Sequence, residues 1–516
     1  MKLSKISTAL LAGGLATQVF AAPPMNKNPL AELPYANKTE NGYSLEFNDK
    51  NYSTASAELN GKTITYRAFE KIVYVSNPVE AEYQTLNFYV PEDYYQGKEI
   101  NGYNAKTAPI FLPNAIGGYM PAMAAVASQA GHDGKTNTIL QALERGYVVA
   151  SVGARGRTLK QGDTYTGKAP AVILDLKAAV RYLHANDDKM VGDANKIISN
   201  GTSAGGAMSA LLGASGDSAD YTKLLDEMGA VNASDAIFAV SAYCPITNLE
   251  HADAAYEWEF SGLHHYSRMD MSRLNAKTFN DRSMKQATIE GELSADEIRI
   301  SNDLKDQFPE YLNNLQLKDE KGNALTLDKD GNGSFRAYVE DFLVISANQA
   351  LSNLNADEKK TFMEKYKGLS YANDTVSAVK LAEFVTNKAR MKSPPAFDAL
   401  DLSSGENDEF GTATIQALHF TPYSLKNSTA NGGMADAENI KLLNAMNYTD
   451  NSKAAQHWRI RVGSEDYDTS HAISAMLAVK LQMSGKNVDY ALPWGVGHAG
   501  DYDLDELFNW VDKIAR

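Results

Sequence analysis

The run Gly201-Thr202-Ser203-Ala204-Gly205 follows the short apolar pair Ile197-Ile198 and precedes a helix-like stretch from Ala207 to Leu212. Where a strand turns sharply into a helix, a serine at the turn presents its hydroxyl, and glycine flanks it because a Cβ there would clash. Ser203 is therefore a candidate nucleophile, although by itself the run reads equally as a Gly/Ser-rich turn without chemistry. A serine hydroxyl is a poor nucleophile until a base accepts its proton. His498, one of nine histidines, lies in the Gly-flanked loop Trp494-Gly495-Val496-Gly497-His498-Ala499-Gly500 and can be that base. Asp466, after an earlier strand, can orient it, with Glu465 and Asp468 competing for the role. Carboxylate after one late strand and histidine after the next gives the chain order Ser, Asp, His, which a nucleophilic acyl-transfer site on an α/β sheet uses. The Gly117-Gly118 turn follows another apolar strand, and the backbone amides of Gly117 and Ala204 would together hold an oxyanion.

The elements that must position these groups are legible as short runs. Alternation from Tyr43 to Tyr94 predicts antiparallel strands at the front of a sheet. Pro109 to Pro113 and Tyr147 to Val152 read as buried strands, Ala171 to Asn186 as a helix, and Ala236 to Ala242 as a further strand. The sheet resumes at His457 to Gly463, followed by a helix from about Ser470 to Ser484 and a strand from Val488 to Leu492. Strand, helix, strand, elbow and helix in succession predict a mostly parallel sheet flanked by helices, an α/β-hydrolase fold. Arg155 and Arg157, after the second buried strand, could bind an anion or form structural ion pairs.

Between Cys244-Pro245 and about residue 440 the rhythm stops and the chain becomes Asp/Asn/Lys-rich, helical in short pieces with long polar connections, which predicts a large inserted lid domain. Within it Asp328-x-Asp330-x-Asn332-Gly333 resembles half of a calcium loop, but the twelfth position is Val339, so a hairpin turn between strands is the expectation and calcium the alternative. The organisation expected is thus a leader at 1–21, a core in two parts at 22–244 and 441–516, and the insertion at 245–440.

Composition narrows the function classes. A chain of 516 residues with 44% hydrophobic content has ample core, and a formal charge of −15 argues against a nucleic-acid binder or a polybasic membrane-surface protein. Lys2 and Lys5, an apolar run from Ala9 to Phe20 and the small residues around Val19-Phe20-Ala21 read as an export signal, too short to span a bilayer. We expect a periplasmic or secreted protein, free of membrane after cleavage, with mobile ends at the leader and at Pro23 to Asn37. The single cysteine, Cys244, allows no internal disulfide and reads as a buried small hydrophobe. No metal cluster, dinucleotide fingerprint or phosphate loop accompanies the candidate site, so no cofactor and no metal are expected. A monomer is expected.

Taken together, the runs Asn200 to Gly206, Gly117-Gly118-Tyr119-Met120, Gly153 to Arg157, Asp466-Tyr467-Asp468-Thr469-Ser470 and Pro493 to Asp503 resemble bacterial tannases, the tannin acylhydrolases, from about Gly42 to the C-terminus. The resemblance implies Ser203 as nucleophile, Asp466 and His498 as its partners, and the Gly117 and Ala204 amides as oxyanion hole. It also implies that Lys392, Glu406 and Asp468 hold the three ring hydroxyls of a galloyl group. The chemistry is consistent: vicinal phenols donate to carboxylates and accept from an ammonium. From the residues alone Lys392 and Glu406 read as surface charges of the insertion. The function expected is hydrolysis of galloyl, and of protocatechuoyl, esters. A feruloyl or general aryl esterase, a serine peptidase, and a non-catalytic phenolic-ester binding protein are the alternatives.

Overall fold

The computed structural model describes residues 30–128, 137–269 and 288–516. The expected leader at 1–21 lies outside these residues. Nine strands form the central sheet: β1 (Ser53–Leu59), β2 (Lys62–Val73), β3 (Thr85–Pro91), β4 (Pro109–Pro113), β5 (Val148–Val152), β6 (Asp193–Thr202), β7 (Ala239–Tyr243), β8 (His457–Arg461) and β9 (Asn487–Ala491). Their spatial order is β9-β8-β7-β6-β4-β5-β3-β2-β1. The pairs from β5 through β4, β6, β7 and β8 to β9 are parallel, and β1, β2 and β3 close the other edge antiparallel. This is the mixed sheet of an α/β-hydrolase fold. Strands β3, β5 and β7 are buried at every position, as runs covered on both faces must be, whereas exposed β1 alternates.

Helices α1 (Thr138–Glu144), α2 (Ala171–Ala185) and α3 (Ala204–Ala214) lie on the first part of the sheet and α7 (His471–Met483) on the last, while α8 (Leu504–Ala515) returns to the first part, its Phe508 ring packing edge-on against Phe111 of β4 and Tyr147 before β5. The terminal Asn186 ends α2 as expected: its amide donates to Tyr182 O at 2.9 Å and Leu45 O at 3.0 Å, while its Oδ1 accepts from Phe47 N at 2.8 Å. Ser470 caps α7 by accepting from Ala472 N at 3.1 Å. Among the described residues no helix is long and apolar enough to cross a membrane.

Between β7 and β8 the chain leaves the sheet and returns through α4 (Leu249–Phe260), α5 (Ser334–Ser352), α6 (Gly405–Glu409), further short helices and two small hairpins. Among the described residues of the insertion many charges are used in buried pairs. Arg390 donates to Glu257 Oε1 at 2.5 Å with both side chains fully buried, and Glu257 also accepts from Ser301 Oγ at 2.5 Å. The insertion touches the core at the loops after β8 and β9: Tyr467 donates to Val385 O at 2.8 Å, and Ser346 of α5 donates to Leu492 O at 2.5 Å.

Two sequence expectations need correction. The Asp328 loop is no hairpin between strands; it leads straight into α5, a helix of 19 residues. Asp328 Oδ1 accepts from the amides of Asp330 and Asn332, each at 2.9 Å, so local side-chain bonding shapes the turn, and Val339 is a buried helix residue. The described end of Pro23 to Asn37 is pinned: Asn37 donates to Val73 O at 2.6 Å and accepts from Val73 N at 2.9 Å, adding a side chain to the end of β2.

Replacing Arg390 by Met leaves Glu257 as an unpaired buried carboxylate, a loss of about 3–5 kcal/mol. A lowered urea midpoint, with far-UV circular dichroism of the native protein unchanged, is the expected result.

Candidate active site

Ser203 occupies the turn between β6 and α3 with φ 61° and ψ −123°, a left-handed backbone unusual for a residue with a side chain. Its amide donates to Tyr243 O at 3.0 Å, fixing the turn to the end of β7. The flanking glycines are obligatory: a Cβ at Gly201 would stand 2.3 Å from Gly205 O, and one at Gly205 2.6 Å from Asn114 Oδ1 and from Ile116 O. Asn114, at the end of β4, donates to Asn200 O at 3.2 Å, to Gly205 O at 3.3 Å and to Ser209 Oγ at 3.0 Å. Its Oδ1 accepts from Ile116 N at 3.3 Å, so this side chain ties the start of the loop after β4 to the elbow. Nothing in its residue type marked it beyond its place in the run. The amide of Ala204 opens α3, where first-turn amides have no intrahelical partner and point outward at a site for negative charge.

His498 and Asp466 meet as expected, Nδ1 to Oδ2 at 2.8 Å, with both side chains buried. Asp466 Oδ1 accepts from Asp468 N at 2.9 Å, so the carboxylate is bonded at both oxygens. Asp466 is the partner of the histidine; its competitor Glu465 instead bonds Tyr366 at 3.1 Å and pairs with Lys388. The histidine loop closes against the end of β6, since a Cβ on Gly500 would stand 1.8 Å from Thr202 Oγ1. Asp501 holds that loop by accepting from Asn200 Nδ2 at 2.9 Å and Thr138 Oγ1 at 2.8 Å. Asp503 does the same toward β7 and β8 by accepting from Tyr243 at 2.5 Å and pairing with Arg459.

The charges in this pocket are set by one another. Burial drives the Asp466 carboxyl up, but the His498 charge and hydrogen bond, the Asp468 amide and the charge of His471 outweigh it and hold the group below its ordinary value. Burial works against a charged His498, yet Asp466, with smaller contributions from Cys244 and Asp468, lifts the imidazole well above its ordinary 6.5. Cys244 is buried as expected, and its thiol donates to Ala499 O at 3.1 Å. Its sulfur and the donor atoms of Asp466 and His498 lie within 4.8 Å of one another, but each is engaged in protein hydrogen bonds.

His471 was not singled out by sequence. Its Nδ1 faces Glu259 Oε1 at 2.6 Å and its Nε2 faces Gly463 O at 3.0 Å, two acceptors without a proton to give. The ring therefore carries both protons; burial opposes this, and Glu259 together with the Gly463 carbonyl raises it to about 9. The Gly463 carbonyl also accepts from Asp466 N at 3.0 Å, so this cation braces the turn that holds Asp466. Two glutamates, Glu257 and Glu259, set among the apolar and aromatic residues Ala254, Ala255, Tyr256, Trp258 and Phe260 were the available signal for buried ion pairs.

The remaining expected residues border the same place. Asp468 is 7% exposed, and its Oδ2 has no hydrogen-bond partner among the described residues. Burial raises its carboxyl, and the charges of His498 and Lys392 pull against that. Lys392 is half-buried, its ammonium 4.0 Å from the centre of the Phe397 ring, and Arg390 Nε holds its carbonyl at 2.7 Å. Glu406 is half-buried in the first turn of α6, close enough to the Gly117-Gly118-Tyr119 turn for its charge, behind that of Glu409, to act on Tyr119. The arginine pair resolves as ion pairs: Arg155 grips Asp175 at 2.8 Å and Arg157 reaches Asp408 at 2.5 Å.

The BD-FAE family profile, an α/β-hydrolase type, matches residues 117–289. Among solved structures, a tannase of Fusobacterium nucleatum is 52% identical, with 92% of this chain and 100% of that chain covered and a TM-score of 0.86. A tannase of Lactobacillus plantarum is 44% identical over 92% of this chain and 100% of its own, with a TM-score of 0.86. A tannin acyl hydrolase in complex with ethyl gallate is 44% identical over 92% and 99% of the two chains, with a TM-score of 0.84. Comparison with curated proteins finds no match.

The charges around His498 can be tested without any substrate. In a histidine-ring NMR titration its midpoint should lie above 6.5. Asp468→Asn should lower that midpoint and Asp466→Asn lower it further, because each removes a negative charge that favours the imidazolium. An unchanged midpoint in both variants would contradict the electrostatic assignment.

Proposed function

The chain belongs to the tannase family and is a carboxylic ester hydrolase, and from that premise we propose that it is an exported, monomeric enzyme that cleaves galloyl and protocatechuoyl esters through a Ser203-His498-Asp466 triad. The observation that carries the proposal is the buried His498–Asp466 hydrogen bond of 2.8 Å in a loop whose Gly500 packs against Thr202, the residue before a serine held at φ 61°. As Ser203 Oγ attacks the ester carbonyl, His498 Nε2 takes its proton, while Asp466 fixes Nδ1 as the protonated nitrogen and stabilises the imidazolium that forms. The carbonyl oxygen, now anionic, is held by the amides of Gly117 and Ala204. His498 returns the proton to the departing alcohol. A water molecule, deprotonated by the same histidine, then attacks the acyl-enzyme, and Ser203 recovers its proton as the acid leaves.

Lys392, Glu406 and Asp468 would recognise the acyl ring. The phenolic hydroxyls donate to the two carboxylates, and the Lys392 ammonium donates to a phenolic oxygen. An acyl ring without hydroxyls leaves these charges unpaired, which is the strongest source of discrimination a polar pocket has. The insertion that supplies Lys392 and Glu406 would act as the lid.

Methyl gallate, methyl ferulate and methyl benzoate, compared on wild type and Ser203→Ala, test this reading. Gallate should be the preferred ester, and Ser203→Ala should lose about 10⁴-fold or more in kcat. Preference for ferulate would remove the galloyl specificity, and retained hydrolysis would remove the triad. Lys392→Ala and Glu406→Ala should each raise KM for methyl gallate about tenfold, worth about 1.4 kcal/mol, and leave methyl benzoate unaffected. Equal effects on both esters would mean that the two residues serve only the insertion. Activity should rise with pH through the ionisation of His498, since only the neutral ring can accept the serine proton. N-terminal sequencing of the exported protein should begin at Ala22.

A further inference from the structure

The turn that presents the Gly117 amide is strained, and one side chain holds it. Gly118 and Tyr119 are both left-handed, at φ 54° and 58°, and Tyr119 is not a glycine; such a backbone persists only where the surroundings over-determine it. Arg157 supplies that constraint from both of its parts: its amide donates to Tyr119 O at 2.9 Å, and its Nε donates to Gly118 O at 2.8 Å. The same guanidinium then turns to the insertion. Its terminal nitrogen donates to Asp408 Oδ2 at 2.5 Å, and the position of a Cβ on Gly405 lies 3.3 Å from its Cζ, so the first residue of α6 rests directly on it.

Glu406 lies between those two contacts on α6. Asp408 is itself fixed from behind by Lys168, whose ammonium pairs with Oδ1 and donates to Asp408 O at 2.7 Å and to Gln416 O at 2.8 Å. Backbone contact closes the assembly: Ala169 N donates to Glu409 O at 2.9 Å, and a Cβ on Gly156 would fall 2.2 Å from Pro121 N. The short helix carrying a ring-recognition carboxylate and the turn carrying an oxyanion donor thus share one guanidinium. A lysine could not make both connections, having a single point charge in place of a planar fork.

We propose that Arg157 is a positioning residue that couples acyl-ring recognition to the oxyanion hole by clamping the Glu406 helix against the Gly117-Gly118-Tyr119 turn. This rests on the roles given above to Glu406 and the Gly117 amide. A ring seated on Glu406 holds α6 in place, α6 holds Arg157 through Asp408, and Arg157 holds the Gly118 carbonyl so that the neighbouring Gly117 amide stays aimed at the reacting oxygen. The two ends of the clamp predict separable losses, since methyl benzoate needs only the oxyanion end and methyl gallate needs both.

The test is steady-state kinetics on both esters for Arg157→Ala, Arg157→Lys, Asp408→Asn and the Arg157→Ala/Asp408→Asn double variant, with thermal melts for folding. Arg157→Ala should lower kcat at least tenfold on both esters and raise KM for gallate alone. Arg157→Lys, which keeps the charge facing Asp408 and loses the bond to Gly118 O, should recover most of the gallate KM and little of kcat. Asp408→Asn should chiefly raise the gallate KM, and the double variant should be no worse than Arg157→Ala. A role in stability alone would lower the melting temperature and leave kcat of the folded fraction within twofold of wild type, which would overturn the proposal. Full recovery of kcat by lysine, or additive losses in the double variant, would overturn it as well. Where Arg157→Ala does not fold, Arg157→Lys and Asp408→Asn decide between the same outcomes. Failure of the underlying reading shows separately, as retained activity in Ser203→Ala or an unchanged gallate KM in Glu406→Ala.

Discussion

A carboxylate that keeps its charge without water is the constraint around which this molecule is built. Asp466 is fully buried, and in that position an isolated carboxyl would be neutral and useless as an orienter of histidine. It stays charged because the protein replaces its hydration shell with His498 Nδ1, the Asp468 amide and, one layer out, the cation of His471. His471 must in turn be compensated, and Glu259 does this while also accepting from Ser470 Oγ at 2.8 Å and His471 N at 2.9 Å. Glu259 belongs to α4 of the insertion, so the segment that interrupts the sheet is also the segment that completes its buried charge network.

That dependence explains why the insertion is ordered despite a polar sequence. Its carboxylates and arginines are turned inward: Glu257 with Arg390, Asp253 accepting from Phe397 N at 2.6 Å, and Asp398 accepting from Phe420 N, Thr421 N and His419 Nδ1 at 2.9, 2.7 and 2.7 Å. Each replaces what an apolar core would do with a directional bond. Such groups fix a geometry more than they add stability. If Lys392 and Glu406 recognise the acyl ring as proposed, the segment that places them benefits from that directionality.

The parts of the fold that obey local rules could be read from sequence. Buried strands such as Val148–Val152 are mostly apolar runs, the helix ending at Asn186 carries its own stop signal, and the glycine at 201 is demanded by a contact of 2.3 Å with Gly205 O inside the turn itself. The order of Ser203, Asp466 and His498 needed only the alternation of strands and loops. What could not be read depends on partners far apart in the chain. Whether Glu465, Asp466 or Asp468 meets the histidine is a matter of which way a loop turns, and the place of His498, 32 residues later, decides it. The Asp328 loop has the letters of a calcium site and the fold of a helix start, because Asp328 bonds its own following amides before any ligand. Lys392 and Glu406 look like surface charges until residues more than 130 positions away in sequence, Glu257 for the one segment and Arg157 for the other, are seen to fix their places.

Under the galloyl reading, Asp468 would join recognition to catalysis in a way neither residue type nor spacing suggests. One of its oxygens is buried with no partner among the described residues, an arrangement that costs free energy in the unliganded enzyme and that a phenolic hydroxyl would relieve. Its charge also favours the protonated form of His498. A hydroxyl that donates to Asp468 spreads that charge, weakens its hold on the imidazolium, and so lets His498 reach the neutral form that the serine needs. Under the galloyl reading, the correct ring therefore does two things at once: it satisfies a stranded carboxylate oxygen and it frees the base. A ring without that hydroxyl does neither.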